Sequence, residues 1–151
     1  MDERALVVAA RSDTQVNAAG RELTQAVFLA QQLREWTLTL PFSDPDPQDQ
    51  GNPPGSDEGD PQTFVDDLDD LMDVTYSPPM SARGKPPLDT TGEPMSGVDG
   101  WSQHITLTWL DGDDLTQAVT PGTSDFVRVE VNVAYRGQNM LTASWLVTRR
   151  D

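Results

Sequence analysis

The sequence contains no cysteine, which excludes disulfides, thiolate metal sites, iron–sulfur clusters and cysteine nucleophiles. Basic residues are few, because Lys and Arg total 10 against 25 Asp and Glu, and the formal net charge is −15. Such a surface repels phosphate backbones and anionic lipid headgroups. We therefore expect neither nucleic-acid binding nor attachment to a membrane through a basic face, while cations and basic partners remain open as ligands.

Long apolar runs are missing as well. No segment approaches the roughly 18 to 20 apolar residues that span a bilayer, and Met1–Ala10 is too short and too acidic for a signal peptide. The sequence therefore predicts a soluble chain. A length of 151 residues suits a single domain, residues 1–151, with one hydrophobic core.

Residues 1–40 have the periodicity of a helix. Apolar residues recur at i, i+3 and i+4 spacing, in the order Val16, Ala19, Leu23, Ala26 or Val27, Ala30, Leu33, and Trp36 or Thr37. Ala, Gln, Leu, Arg and Glu dominate the segment, as a good helix requires. A capping box formed by Ser12 with Gln15 would start the helix there; alternatively the helix begins near Arg4 and runs straight through. The continuous helix is favoured.

The predicted helix is long for a domain of this size. It ends by Leu40, since Pro41 has no N–H to donate and restricts the residue before it. From Arg4 to Leu40 it would measure about 55 Å at 1.5 Å per residue. Its first turns, Ala5–Ala10 (ALVVAA), are apolar all round. We therefore expect the N-terminal end to project, or to be covered by a partner, and Ala5–Ala19 to lack contacts within its own chain.

An acidic loop follows the helix at residues 41–63. Residues 43–73 hold 11 acidic side chains and no basic one. Within them, Ser43–Pro61 has five prolines, three glycines and no large apolar residue. Such a segment cannot bury enough surface to offset the entropy of ordering, so an exposed loop is predicted.

In the rest of the chain, residues 64–151, a short helix or turn precedes segments whose apolar period is 2. Strands are predicted at Thr106–Leu110, Phe126–Tyr135 and Met140–Thr148, with short additional strands at Asp73–Tyr76 and Asp114–Val119. Val127, Val129, Val131 and Val133 share one face of their strand, as in an antiparallel sheet packed on one side.

The turn Arg136–Asn139 has Gly137 available for positive φ, which predicts a hairpin between the last two strands. Ser77–Gly100, with five prolines and four glycines, is predicted to be irregular. The fold class is therefore α+β, with a long N-terminal helix covering one face of a C-terminal antiparallel sheet.

Four segments resemble parts of type IV pilin-like proteins. Ala26–Asp46 (AVFLAQQLREWTLTLPFSDPD) resembles the helix exit of minor pilins and pseudopilins, and Val65–Leu71 (VDDLDDL) resembles the acidic box of MSHA-type minor pilins. Gly100–Leu115 and the ending Val127–Arg149 look like the sheet of the same prepilin-type proteins. The segments follow the family's order, and the resemblance extends over roughly residues 16–149.

The resemblance implies a structural subunit rather than an enzyme. Such a minor pilin or pseudopilin assembles with other pilin or pseudopilin subunits into a type IV pilus or type II secretion-like filament of the cell envelope, facing the periplasm or the exterior. The helix side chains that would form the assembly interface are Leu6, Val7, Val16, Leu23 and Val27.

The motif that normally begins a pilin has no counterpart here. Pilins of this class start with a cleavage site, a Phe and a Glu at the fifth mature position, within an apolar membrane span. Glu3 is followed by Arg4 and is not that glutamate. We therefore expect contact with the inner membrane only through a preceding N-terminal segment, of which Ala5–Ala10 would be the tail. Translating the DNA upstream of Met1 tests this expectation.

The acidic box supplies the best metal candidates. Asp66, Asp67, Asp69 and Asp70 offer hard carboxylate oxygens that suit Ca²⁺, although their spacing does not match an EF-hand loop. The favoured interpretation is a helical or turn segment with its aspartates in solvent and its apolar side chains buried. Those apolar side chains are Val65, Leu68 and Leu71 or Met72.

A second acidic cluster, Asp111, Asp113 and Asp114 around Gly112, is predicted to be a turn. No other metal and no organic cofactor is expected. The competing functional hypothesis is a secreted acidic binding module, stabilised by Ca²⁺, that presents its loops to a ligand.

An enzyme is disfavoured because no nucleophile, base and orienting group can be named together. The single histidine, His104, begins the segment HITLTWL that contains the strand predicted at Thr106–Leu110, and it is not expected to be functional. Trp36, Trp109 and Trp145 are predicted to lie in the core, and Trp101, beside Gly100, to be partly exposed.

Overall fold

The computed structural model describes residues 3–43, 65, 67–76 and 86–150, and within residues 3–19 it describes the backbone alone. A single helix α1 (Glu3–Thr39) comes first, followed by a 3₁₀ turn (Leu68–Leu71). The strands are β1 (Val74–Tyr76), β2 (Trp101–Trp109), β3 (Phe126–Tyr135) and β4 (Gln138–Thr148). The predicted α+β class is therefore confirmed.

Helix α1 runs without interruption for 37 residues. The predicted continuity through Ser12 is confirmed, and the helix stops two residues before Pro41, as the missing proline N–H requires. Most of the predicted acidic loop, from residue 44 onward, lies outside the described residues. Within the described part of the chain, no helix combines the length and the hydropathy that a bilayer span needs.

The four strands form one sheet in the order β1-β2-β3-β4, with every neighbouring pair antiparallel. β2 begins at Trp101, five residues before the predicted start at Thr106. The short strand predicted at Asp73–Tyr76 forms as β1.

The prediction of a strand at Asp114–Val119 is wrong, because only an isolated bridge joins Leu110 and Ala118. The side chains of Asp111 and Asp114 bond nearby backbone amides there and hold a turn.

The predicted hairpin between β3 and β4 is confirmed. Arg136 and Gly137 both have positive φ, 51° and 83°, which is the two-residue type I′ geometry. Tyr135 pairs directly with Gln138 across this turn. A register shift between Val133 and Ala134 places a bulge near the turn, after which the pairing is regular.

One face of the sheet carries the core. The alternating valines of β3, Val127 to Val133, are all 0% exposed, whereas Arg128 between them is exposed. Facing them are helix residues spaced three and four apart, namely Ala26, Leu29, Ala30, Leu33, Trp36 and Thr37. The predicted one-sided packing is therefore confirmed, and its helical partner is the C-terminal third of α1.

Gln103 is a buried polar residue that sequence patterning did not single out. It is 0% exposed on β2, where its Oε1 accepts a hydrogen bond from the Leu88 amide at 2.9 Å. Its Nε2 donates to the carbonyls of Leu88 at 3.2 Å and of Leu29 at 3.0 Å. One side chain therefore ties the otherwise irregular segment 86–100 to both the sheet and α1, and leaves the buried Leu88 backbone satisfied.

The burial of the four tryptophans differs in part from the prediction. Trp36 and Trp109 are buried, as predicted, and Trp145 is half-buried. Trp101, predicted to be partly exposed, is only 7% exposed, so that prediction is wrong. Its ring packs on Tyr135 with centroids 4.7 Å apart, because β2 extends far enough to place the two residues opposite each other.

Candidate functional site

Helix α1 has apolar side chains that its own sheet does not cover. Leu23, Val27 and Phe28 are 47%, 38% and 42% exposed, respectively. At about 100° per residue, Leu23 and Val27 both lie along one edge of the buried arc that includes Ala26, while Phe28 lies on the far side of the helix. The described part of the helix therefore offers apolar surface on more than one side.

Two of the predicted assembly residues, Leu23 and Val27, are thus accessible on the helix surface. The other three, Leu6, Val7 and Val16, lie outside the described side chains, as does the predicted absence of intrachain contacts over Ala5–Ala19. Phe28 was missed because it falls off the single apolar stripe on which the prediction relied.

A groove of about 280 Å³ lies between α1 and the edge strand β4. Its helical wall includes Val27, Ala30 and Arg34, and its strand wall includes Ala143 and Trp145. The Trp145 indole donates a hydrogen bond to the Thr37 hydroxyl at 3.0 Å, which anchors the strand to the helix near the groove. The exposed residue Val27 therefore borders a depression, and does not project from a flat surface.

The acidic box folds into the 3₁₀ turn Leu68–Leu71. Leu68 and Leu71 are 1% and 0% exposed, as the favoured interpretation predicted. The Asp67 side chain caps the turn by accepting a hydrogen bond from the Asp70 amide at 3.3 Å. The Asp70 side chain in turn accepts a hydrogen bond from the Asp67 amide at 3.4 Å. Each aspartate thus satisfies a backbone amide that a turn of this length leaves without a helical partner.

These capping bonds contradict the prediction that the aspartates of the acidic box lie in solvent. Asp67 and Asp70 are 0% and 1% exposed and Asp69 is half-buried, so the aspartates do not lie in solvent. Capping pulls them inward because the amides they bond sit beside the buried leucines. Asp66, the fourth predicted Ca²⁺ candidate, lies outside the described residues.

The three aspartates converge. One carboxylate oxygen from each of Asp67, Asp69 and Asp70 lies within 4.8 Å of the others, and one oxygen of each is buried. Hard oxygens at this spacing suit a divalent cation such as Ca²⁺, which takes six to eight oxygen ligands. The three side chains would supply part of that set, with backbone carbonyls or waters supplying the remainder.

The second acidic cluster is a turn, as predicted. Asp111 accepts a hydrogen bond from the Asp113 amide at 2.9 Å, and Asp114 accepts from both the amide and the hydroxyl of Thr116 at 3.0 and 2.6 Å. The Thr116 hydroxyl, followed by its amide, lowers the pKa of the Asp114 carboxyl below its ordinary 3.8. These carboxylates therefore hold the local backbone.

His104 has neighbours that the sequence did not reveal. Its Nδ1 lies 2.7 Å from the Thr75 hydroxyl, and its Nε2 lies 3.1 Å from Asp73 Oδ1. A threonine, a histidine and an aspartate in a row have the order of a nucleophile, base and orienting acid. Here the Asp73 side chain is 85% exposed and Thr75 is exposed too, so the group lies on open surface where water competes for every contact. We therefore interpret these bonds as a contact between β1 and β2 at the surface of the sheet.

No known protein family, curated protein or solved structure matches the chain.

Proposed function

We propose that the protein is a structural subunit of a cell-envelope filament, a minor pilin or pseudopilin of a type IV pilus or type II secretion-like system. The observation that carries the proposal is the length of α1 relative to its buried part: the helix has 37 residues, and among its described side chains, from Gly20 onward, the buried ones run from Ala26 to Thr37. At 1.5 Å per residue, about 35 Å of helix precede Ala26.

The exposed apolar positions support the same function. Leu23 lies one turn before the first buried residue of the stripe, Ala26, and Val27 lies beside the stripe, so both leave apolar surface uncovered. In a filament, the stripe would pack on the helices of neighbouring subunits, and affinity would come from apolar area buried in many repeated contacts. The sheet and the acidic segments would then face outward.

Site-specific cross-linking tests this proposal cleanly because the chain has no cysteine of its own. Val27→Cys and Leu23→Cys, each expressed in the source cell, should cross-link to other filament subunits. Thr120→Cys, an exposed position on the loop before β3, is the matched control and should not. Equal cross-linking at Val27 and Thr120, or none at either helix position, would contradict assembly through α1.

A second function, a secreted acidic binding module stabilised by Ca²⁺, is favoured by the convergence of Asp67, Asp69 and Asp70. Thermal unfolding with Ca²⁺ and with a chelator separates the two proposals. A rise of several degrees in Tm that Asp69→Asn abolishes would support the module. An unchanged Tm would contradict the Ca²⁺-stabilised module, and the filament subunit would remain as the proposed function.

A further inference from the structure

The two edges of the sheet are built differently. The β1 edge is three residues long, whereas the β4 edge has eleven residues, from Gln138 to Thr148. Exposed edges are normally blunted by shortness, charge or proline, because they present backbone groups that pair readily with another strand. β4 has no charged residue and no proline, in a chain of which 23% is charged. Only the bulge near its start interrupts it.

The outer side of β4 is open in the described part of the chain. β4 is the terminal strand of the sheet, and its backbone partners among the described residues belong to β3. After the bulge, Leu141–Thr148 is a regular segment with alternating exposure. Such a segment matches one partner geometry, an extended strand that adds to the sheet through main-chain hydrogen bonds.

Charge identifies the partner. Two chains that each carry −15 repel one another over most of their surfaces. An edge without ionisable side chains is where two copies can approach without placing like charges directly opposite each other. Antiparallel pairing of β4 with its own copy is also self-complementary, as a two-fold interface requires.

The groove beside β4 supports the same arrangement. A two-fold axis perpendicular to the sheet keeps both α1 helices on the same face, so the two grooves would meet at the seam. Val27, 38% exposed on the groove wall, and half-buried Trp145 would then lose water-accessible area in the dimer. Apolar burial would therefore add to the backbone hydrogen bonds.

We propose that the β4 edge is a self-association surface, at which two copies pair β4 with β4 in antiparallel fashion and form one continuous eight-stranded sheet. This surface shares Val27 with the proposed helix interface but does not include Leu23, so that cross-linking through Leu23 tells the two proposals apart.

The test is a lysine at Ser144, near the centre of the regular segment. Ser144 is exposed and lies opposite Glu130 on β3, so Ser144→Lys gains an oppositely charged neighbour in the monomer. In the dimer, the two lysines would meet near the two-fold axis and repel. Thr106→Lys is the matched control, since Thr106 flanks the same Glu130 from the interior strand β2.

Sedimentation velocity on the full chain measures the outcome. The unaltered protein and Thr106→Lys should dimerise with the same Kd, and Ser144→Lys should raise that Kd about tenfold or more. Because β4 itself carries no charged side chain while the whole chains repel, added NaCl should tighten the dimer. Monomers at all concentrations, an unchanged Kd for Ser144→Lys, or weakening by NaCl would overturn the proposal.

A variant that produces a new signal distinguishes loss of the β4 pairing from misfolding of the variant. Ser144→Cys should form a disulfide-linked dimer under mild oxidation, whereas Thr106→Cys, on an interior strand, should form no disulfide between chains; equal cross-linking of the two would contradict the proposed seam. Far-UV circular dichroism and Tm confirm that each variant is folded. Cross-linking through Leu23→Cys, a position outside the groove, should persist in the Ser144→Lys background, which separates loss of the seam from loss of helix assembly.

Discussion

Gly92 leaves room for the indole of Trp36. A Cβ built on Gly92 would lie 2.6 Å from Trp36 Cε2, and the residue has φ of 77°. Trp36 itself is buried and packs edge-on against Tyr76 with ring centroids 6.3 Å apart. Because the ring is wedged on both sides, it cannot move away from a new methyl group without disturbing the core.

We therefore expect Gly92→Ala to destabilise the protein by both overpacking and backbone strain. Gly97→Ala is the control, because Gly97 has a similar φ of 72° but nothing lies within 4 Å of the position that its new methyl group would take. Gly97→Ala should cost about 1–2 kcal/mol from the left-handed conformation alone, and Gly92→Ala about 1–3 kcal/mol more. Urea unfolding measures both, and equal losses would show that the Trp36 contact is not restrictive.

At the scale of elements, α1 is fastened to the sheet near its C-terminal end. Thr37 is 0% exposed, and its hydroxyl donates to the Arg34 carbonyl at 3.0 Å while accepting the Trp145 indole N–H at 3.0 Å. The bond joins helix to edge strand over a sequence separation of 108 residues. It fixes how α1 lies across β4 and so shapes the groove.

Thr37→Val keeps the shape of the side chain but removes the acceptor for the Trp145 indole. Leaving a part-buried N–H without its partner should cost about 1–3 kcal/mol. Thr39→Val is the control, because the Thr39 hydroxyl bonds the Trp36 carbonyl within the helix and the residue is exposed. Differential scanning calorimetry should show a lower Tm for Thr37→Val only, and a matching fall for Thr39→Val would mean that the helix-to-strand bond contributes little.

At the scale of the whole molecule, the net charge of −15 opposes the compact state. The described ion pairs Arg34–Glu35 and Arg149–Asp125 and the His104–Asp73 contact all include a partner more than half exposed. Exposed pairs of this kind contribute little to stability. Long-range repulsion should therefore exceed the attraction that these pairs supply.

Added salt should therefore stabilise the monomer. Raising NaCl from about 10 mM to about 150 mM shortens the screening length from about 30 Å to about 8 Å. Tm at neutral pH should rise by several degrees, at about 2–4 °C for each kcal/mol of relieved repulsion. The measurement is made at dilution, where Ser144→Lys serves as the monomeric reference. A fall in Tm would instead show that attractive ion pairs dominate.

The sequence predicts those parts of the fold that depend on interactions between residues close together in the chain. The helix from near Arg4, the strand Phe126–Tyr135 and the hairpin at Gly137 were all predicted, since period and turn chemistry are local signals. The early start of β2 at Trp101 was not, because Trp101–Ile105 contains Ser102, Gln103 and His104 and becomes a strand by pairing with β3. Cross-strand pairing joins residues that are far apart in the sequence, so a short segment examined alone does not reveal it.

For the candidate sites, the sequence by itself determined the composition: an uncharged last strand, an apolar stripe with Leu23 and Val27, and a box of aspartates. Only the tertiary structure decided that β4 is an edge, that Val27 borders a groove, and that Asp67 and Asp70 turn inward to cap Leu68–Leu71. The physical reason is that burial and edge position depend on which distant segments pack together, whereas side-chain chemistry and period are properties of each segment alone.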